Sequence, residues 1–164
     1  MAERLLKIQE RSRNGIKFFS IMSRSECCKR LRKVKQRRDS SLIDTDPHIQ
    51  AVIRYVAVFT IRGGYEVITV PPASKVGVCW AGEIAEKIAR IIGLPFMQFF
   101  EPHNQGKRFY LGAKFKPIEF KWAVECMWRK VLVFDDFSMT NITITNTIRE
   151  IRKQADCDGL VMCV

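Results

Sequence analysis

The chain has 164 residues, 47% of them hydrophobic, and a formal net charge of +11. That length supports one domain with a sizeable core, and the composition is that of a soluble globular protein. No apolar run approaches the roughly 20 residues of a membrane-spanning helix. The first residues, with Arg4, Lys7 and Glu10, lack the apolar core of a signal peptide, so the expectation is a cytoplasmic protein with no membrane partner.

The charge is unevenly placed. Residues 1–50 carry thirteen Lys/Arg against six Asp/Glu, and the remainder fifteen against eleven, so a polyanion suits the first third better than the rest. Cys27, Cys28, Cys79, Cys126, Cys157 and Cys163 show no paired C-x-x-C spacing. His48 and His103 are too isolated to complete an obvious metal site. Free thiols, mostly buried, in a reducing compartment are expected.

In chain order, Leu5 and Ile8, with Leu6 at the margin, line one side of a short helix that Asn14-Gly15 breaks. A second helix is expected over 23–38. Ser23 is a fair N-cap, Glu26 follows three residues later, and Cys27, Leu31 and Val34 recur at helical spacing. Its other faces carry Lys29, Arg30, Arg32, Lys33, Lys35, Arg37 and Arg38, which suit contacts to a phosphate backbone or form a solvated basic face. Residues 39–46 read as a connector, and Pro47 is placed to open the next helix. The division is a basic helical extension, 1–46, and an α/β domain, 47–164.

Residues 48–60 place Ile49, Val52, Ile53, Val56 and Ala57 on one helical face, although Val-Ala-Val-Phe-Thr also suits a strand. Gly63-Gly64 turns the chain into a strand over 65–70 that stops at Pro71-Pro72, leaving 71–75 as a loop. Trp80–Ile92 is the clearest helix, with Ala81, Ile84, Ala85, Ile88, Ala89 and Ile92 on its apolar face and Gly93 ending it. A strand over 96–100 completes a βαβ unit.

Residues 107–116 are basic and aromatic, as in a flap or mobile loop. Phe120, Trp122, Ala123, Met127 and Trp128 read as packing residues. Four apolar residues without alternation, 131–134, predict a parallel strand buried on both faces. Asp135 and Asp136 at its carboxyl end then sit where open α/β sheets bind ligands, followed by a hydroxyl-rich segment, 137–143, and a helix.

Residues 65–164 resemble the type I phosphoribosyltransferase family. The likeness rests on 131–134, Asp135-Asp136, Phe137-Ser138-Met139-Thr140, Asn141-Ile142 and Thr143, which follow the family's ribose-phosphate motif. Val70-Pro71-Pro72-Ala73-Ser74-Lys75 stands at the position of its pyrophosphate loop. The resemblance implies a phosphoribosyltransferase-like, Rossmann-like, mostly parallel sheet flanked by helices. It implies a transferase acting on 5-phosphoribosyl 1-diphosphate and a nucleobase-like or amine acceptor.

By the same likeness Asp135 and Asp136 meet the ribose hydroxyls, and Ser138, Thr140, Asn141 and Thr143 meet the 5-phosphate. Ala73, Ser74 and Lys75 meet the diphosphate, Lys75 stabilising its departure, and Arg108, Lys114 and Lys116 close from the flap. Magnesium would be held through substrate and water rather than by direct ligands, and a homodimer is compatible. The chain departs from the family where Asn141-Ile142 replaces a glycine pair. Glycine permits positive φ and close phosphate approach, whereas isoleucine resists both. The alternative function is a non-catalytic relative of this fold that binds nucleic acid or a nucleotide through its basic N-terminal region.

Overall fold

Residues 131–134 are completely buried at the centre of strand β4 (Lys130–Asp135). The computed structural model describes residues 7–22, 41–73, 79–102, 119–137 and 141–163. Around β4 stand β1 (Gln9–Arg13), β2 (Ile16–Met22), α1 (Ser41–Thr45), α2 (Pro47–Gly63), β3 (Val67–Thr69), α3 (Trp80–Ile92), α4 (Ile142–Ile151) and β5 (Asp156–Cys163). They make an α/β fold with one five-stranded sheet in the order β1-β2-β5-β4-β3. Strands β2, β5, β4 and β3 are parallel, and β1 runs antiparallel along β2.

The two-residue period of the strands divides the core between the faces of the sheet. Ile68, Leu132, Phe134 and Leu160 pack with Ile53 and Val56 of α2 and with Ile84 and Ile88 of α3. Val67, Val131, Val133 and Val161 pack on the other side with Ile144, Ile148 and Ile151 of α4. Covering both faces explains why 131–134 is apolar throughout: each such side chain contributes about 1.5–3 kcal/mol by its burial. Gly159 lets α4 approach closely, since a Cβ there would lie 2.5 Å from Ile148 Cδ1.

Local chemistry sets the helix limits. An Asp46 carboxylate oxygen accepts the Ile49 N–H at 3.1 Å and Pro47 fills the first position, so α2 starts on a side-chain cap and a preset φ. That start decides 48–60 in favour of helix over strand. Helix α3 has the bounds expected from its pattern and ends at Gly93, φ 71°, where the N–H groups of Gly93 and Leu94 both reach the Ala89 carbonyl.

Three expectations need correction. The segment taken for a helix near Ile8 enters β1, and 9–22 forms a hairpin of the main sheet rather than a helical extension outside it. Asn14 and Gly15 have φ of 50° and 75° between the paired Arg13 and Ile16, the two positive values that a type I′ turn requires. The dipeptide joins two strands instead of breaking a helix. Residues 96–100 form no continuous strand: Phe96 bridges Ile68 in parallel and Phe100 bridges Trp122 in antiparallel sense. Met127 is 82% exposed and Ala123 is exposed too, so neither is a packing residue, whereas Phe120, Trp122 and Trp128 do pack against the core.

The expected basic helix over 23–38 lies outside the described residues, as does the flap over 107–116. Among the cysteines, Cys79, Cys126 and Cys157 are free thiols, with Cys157 buried and the other two half-buried. Among the described residues no helix is long and apolar enough to cross a membrane.

Candidate ligand site at the carboxyl edge of the sheet

Strand β3 pairs with β4 on one side and, through the Ile68–Phe96 bridge, with the chain that returns from α3 on the other. Strand β4 connects through α4 to β5 in the opposite direction. The two crossovers diverge at the β3–β4 boundary. That divergence is a topological switch point, whose carboxyl edge is the usual place for a ligand in open α/β sheets. Thr69 pairs with Val133, so two residues further on Pro71 and Asp135 stand level at this edge.

Asp135 is half-buried and Asp136 is 5% exposed. Their field reaches the start of α3. The Cys79 thiol is pushed up from its ordinary value chiefly by burial, then by Asp136, Asp135 and Glu83, while the Gly82 N–H pulls it down. Both carboxylates therefore act on the start of α3 through their charge. Thr69, fully buried at the end of β3, keeps a hydroxyl with no hydrogen-bond partner. Buried hydroxyls are normally satisfied, so this one marks the edge as unusual.

Helix α4 begins beyond the acid pair at Asn141, which has φ 56° and ψ 10° in the left-handed region and whose side chain does not cap the helix. The first intrahelical bond runs from the Thr145 N–H to the Asn141 carbonyl at 3.2 Å, and the Thr145 hydroxyl reinforces it at 2.7 Å. Helical geometry gives the amides of residues 142–144 no acceptor inside the helix, and the dipole makes that end positive. Among the described residues of this turn, Asn141 alone is left-handed. Ile142 is already helical and needs no positive φ, which removes the conformational objection to isoleucine at that position.

Of the site residues expected from sequence, Asp135, Asp136, Asn141 and Thr143 are gathered at this edge with half-buried Ala73 at the end of the β3 segment. Ser74, Lys75, Ser138 and Thr140 lie outside the described residues. So do Arg108, Lys114 and Lys116, and Lys29, Arg30, Arg32, Lys33, Arg37 and Arg38. Sequence reasoning missed Thr69, although a polar residue closing an apolar run was its signal. It also missed Cys79, which stands immediately before the first residue of α3.

Among the described residues no group of three or more His, Cys, Asp and Glu could hold a metal ion. Two adjacent carboxylates suit a hard cation whose remaining oxygens come from a ligand and water. An open groove of about 730 Å3 lies at the opposite edge, lined by Met127, Trp128, Arg129, Arg152 and Asp156 among others. Its Arg152 already pairs with Asp158 at 3.7 Å. No family model matches the sequence, and no characterised protein matches it either.

Proposed function

We propose that the protein binds 5-phosphoribosyl 1-diphosphate at the β3–β4 edge and transfers its phosphoribosyl group to a nitrogen of a nucleobase-like or amine acceptor. The observation that carries this reading is the acid pair at the switch point, followed directly by a helix entered through a left-handed Asn141. Asp135 and Asp136 accept hydrogen bonds from the ribose hydroxyls. The 5-phosphate meets the positive end of α4, where the amides of 142–144 point outward. The order of the β3–α3 and β4–α4 units supports a likeness to the type I phosphoribosyltransferase arrangement.

In the transfer, the bond from C1 to the diphosphate oxygen breaks, the acceptor nitrogen bonds to C1 and loses a proton, and diphosphate departs. The protein's part is to orient the sugar and to balance charge at the departing group. Magnesium, when bound, neutralises the diphosphate oxygens. Asp135 and Asp136 would hold it through its water, consistent with a donor set of two carboxylates.

Calorimetric titration of 5-phosphoribosyl 1-diphosphate in the presence of magnesium tests the reading. The unmodified chain should give saturable binding that an Asp135→Asn/Asp136→Asn variant loses while its melting temperature is kept. Absence of binding by the folded unmodified chain would contradict the proposal.

A further inference from the structure

The two sides of the sheet end differently. Beyond β3 the chain returning from α3 takes the edge: the Ile68 N–H donates to the Pro95 carbonyl at 3.1 Å and the Met97 N–H to the Ile68 carbonyl at 3.0 Å. Beyond β1 no strand or bridge follows among the described residues, and Gln9 to Ser12 are exposed. This edge is separated from the strand that carries the acid pair by β2 and β5. Hairpin geometry says which groups it offers. A two-residue turn makes Arg13 and Ile16 a hydrogen-bonded pair and the antiparallel ladder then alternates, so Arg13, Arg11 and Gln9 bond inward, to Ile16, Phe18 and Ser20 of β2. Ser12 and Glu10 stand in the pairs between, opposite Lys17 and Phe19, and turn both N–H and C=O outward. Main-chain groups presented in a line are the template on which an extended peptide adds as a strand.

The side chains decide what can add there. A symmetric pair of copies joined at this edge would run antiparallel and set outward-bonding residues against one another. In the registers that oppose most of β1 to itself, this puts Glu10 against Glu10, Arg11 against Arg11 or Arg11 against Arg13, and like charges directly opposite destabilise a pair. A second copy is therefore disfavoured. On one face of β1, Arg11 donates from Nε to the Ser20 hydroxyl at 3.1 Å and from Nη2 to the Gln9 side-chain oxygen at 2.5 Å, so among the described residues both of its partners are neutral. On the other face Glu10 is held by Lys17 at 2.9 Å. A carboxylate is the side chain that fits opposite Arg11, since a planar guanidinium fork takes one in matching geometry.

We infer that the outer edge of β1 takes up an extended peptide of another protein as an added strand, bonded to the main chain of Glu10 and Ser12 and carrying a carboxylate opposite Arg11. The main-chain bonds hold the peptide, and the carboxylate sets its register and distinguishes it from other extended segments. The inference does not depend on the transferase reading.

The test is titration of the isotope-labelled full chain with the acetylated heptapeptide Thr-Val-Thr-Glu-Thr-Val-Thr, followed by residue-resolved amide exchange. Saturable shifts should run along 9–13, and the amides of Glu10 and Ser12 should exchange more slowly while that of Arg11, already bonded to β2, changes little. The same peptide with Lys in place of Glu should bind at least about twofold more weakly, because one cross-strand attraction becomes a repulsion. Arg11→Glu should invert that order. Ser12→Pro removes an outward N–H without touching the ladder to β2 and should lose binding with its melting temperature kept. If that variant does not fold, the peptide N-methylated along its backbone is read instead and should not bind. The inference is overturned if the glutamate peptide gives no shifts along β1, if the two peptides bind alike, or if Ser12→Pro or N-methylation leaves affinity unchanged. A dimer of the unmodified chain that Ser12→Pro dissolves would overturn it as well, by giving the edge to a second copy.

Discussion

At the amino-terminal edge of the parallel strands the polar groups are tied to one another. The Tyr65 hydroxyl donates to Asp158 at 2.8 Å, Arg152 Nε donates to the Cys157 carbonyl at 2.9 Å, and a Glu66 carboxylate oxygen accepts the Arg129 N–H at 2.7 Å. At the carboxyl edge α3 and α4 begin at Cys79 and Asn141 without side-chain caps, and the Thr69 hydroxyl is buried without a partner. One edge uses its polar side chains to fasten loops to strands. The other leaves two helix starts and two carboxylates at the ends of adjacent strands, the arrangement on which the proposed site rests.

If this contrast is right, damage to the amino-terminal edge should cost the most stability. Tyr65→Phe deletes a hydrogen bond to a carboxylate and should lower stability by about 1.5–3 kcal/mol in a denaturant titration, with sugar-diphosphate binding intact. Its pH dependence sharpens the point. Burial, then Asp158, pushes the Tyr65 hydroxyl up from its ordinary 10.0, and burial pushes the Cys157 thiol up from 9.0. The folded chain therefore holds both protons more tightly than the unfolded chain does. Their contribution is fully present at neutral pH and is lost as pH rises past 9.0 and then 10.0. Tyr65→Phe should flatten the later part of that loss, and equal alkaline slopes in the two proteins would contradict the assignment.

At the other edge the effects should be smaller in stability and larger in binding. Asn141→Ala places an ordinary side chain in the left-handed region at a cost of about 1–2 kcal/mol, whereas Asn141→Gly should restore stability because glycine adopts that conformation freely. Both can be read from thermal melts followed by calorimetry; a glycine variant as unstable as the alanine variant would mean that conformation is not what Asn141 supplies. The smallest change expected is a gain. Thr69→Val replaces the unpartnered hydroxyl with a methyl group and should stabilise the fold by about 1 kcal/mol. A loss on that scale would show that the hydroxyl is satisfied in solution.

Much of the sheet was legible from one-dimensional pattern. The unbroken apolar run 131–134 announced a strand buried on both faces, and the helical period of Trp80–Ile92 gave α3 its limits. The parallel pairing of β3 with β4 gives both strands the common carboxyl edge that a single crevice requires. The hairpin was missed because Asn14-Gly15 also serves as a helix breaker, and β2 is apolar towards both faces, with Phe18 on one and Ile21 on the other. Residues 96–100 show the reverse error. Their aromatic run suggested a strand, yet Phe99 and Phe100 are buried by packing on Trp122 rather than by a continuous ladder. At the carboxyl edge, the apolar run placed Asp135 and Asp136 at the end of β4, but the left-handed backbone of Asn141 and the orphaned hydroxyl of Thr69 depend on three-dimensional surroundings that no spacing rule encodes.

Hydrogen exchange read by mass spectrometry, with and without 5-phosphoribosyl 1-diphosphate and magnesium, tests the location of the site most directly. The account predicts slower exchange in peptides containing Pro71–Ala73, Asp135–Asp136 and the first turn of α4, and unchanged exchange around Arg129 and at 152–158. Protection confined to the groove beside Met127, or no protection anywhere, would contradict it.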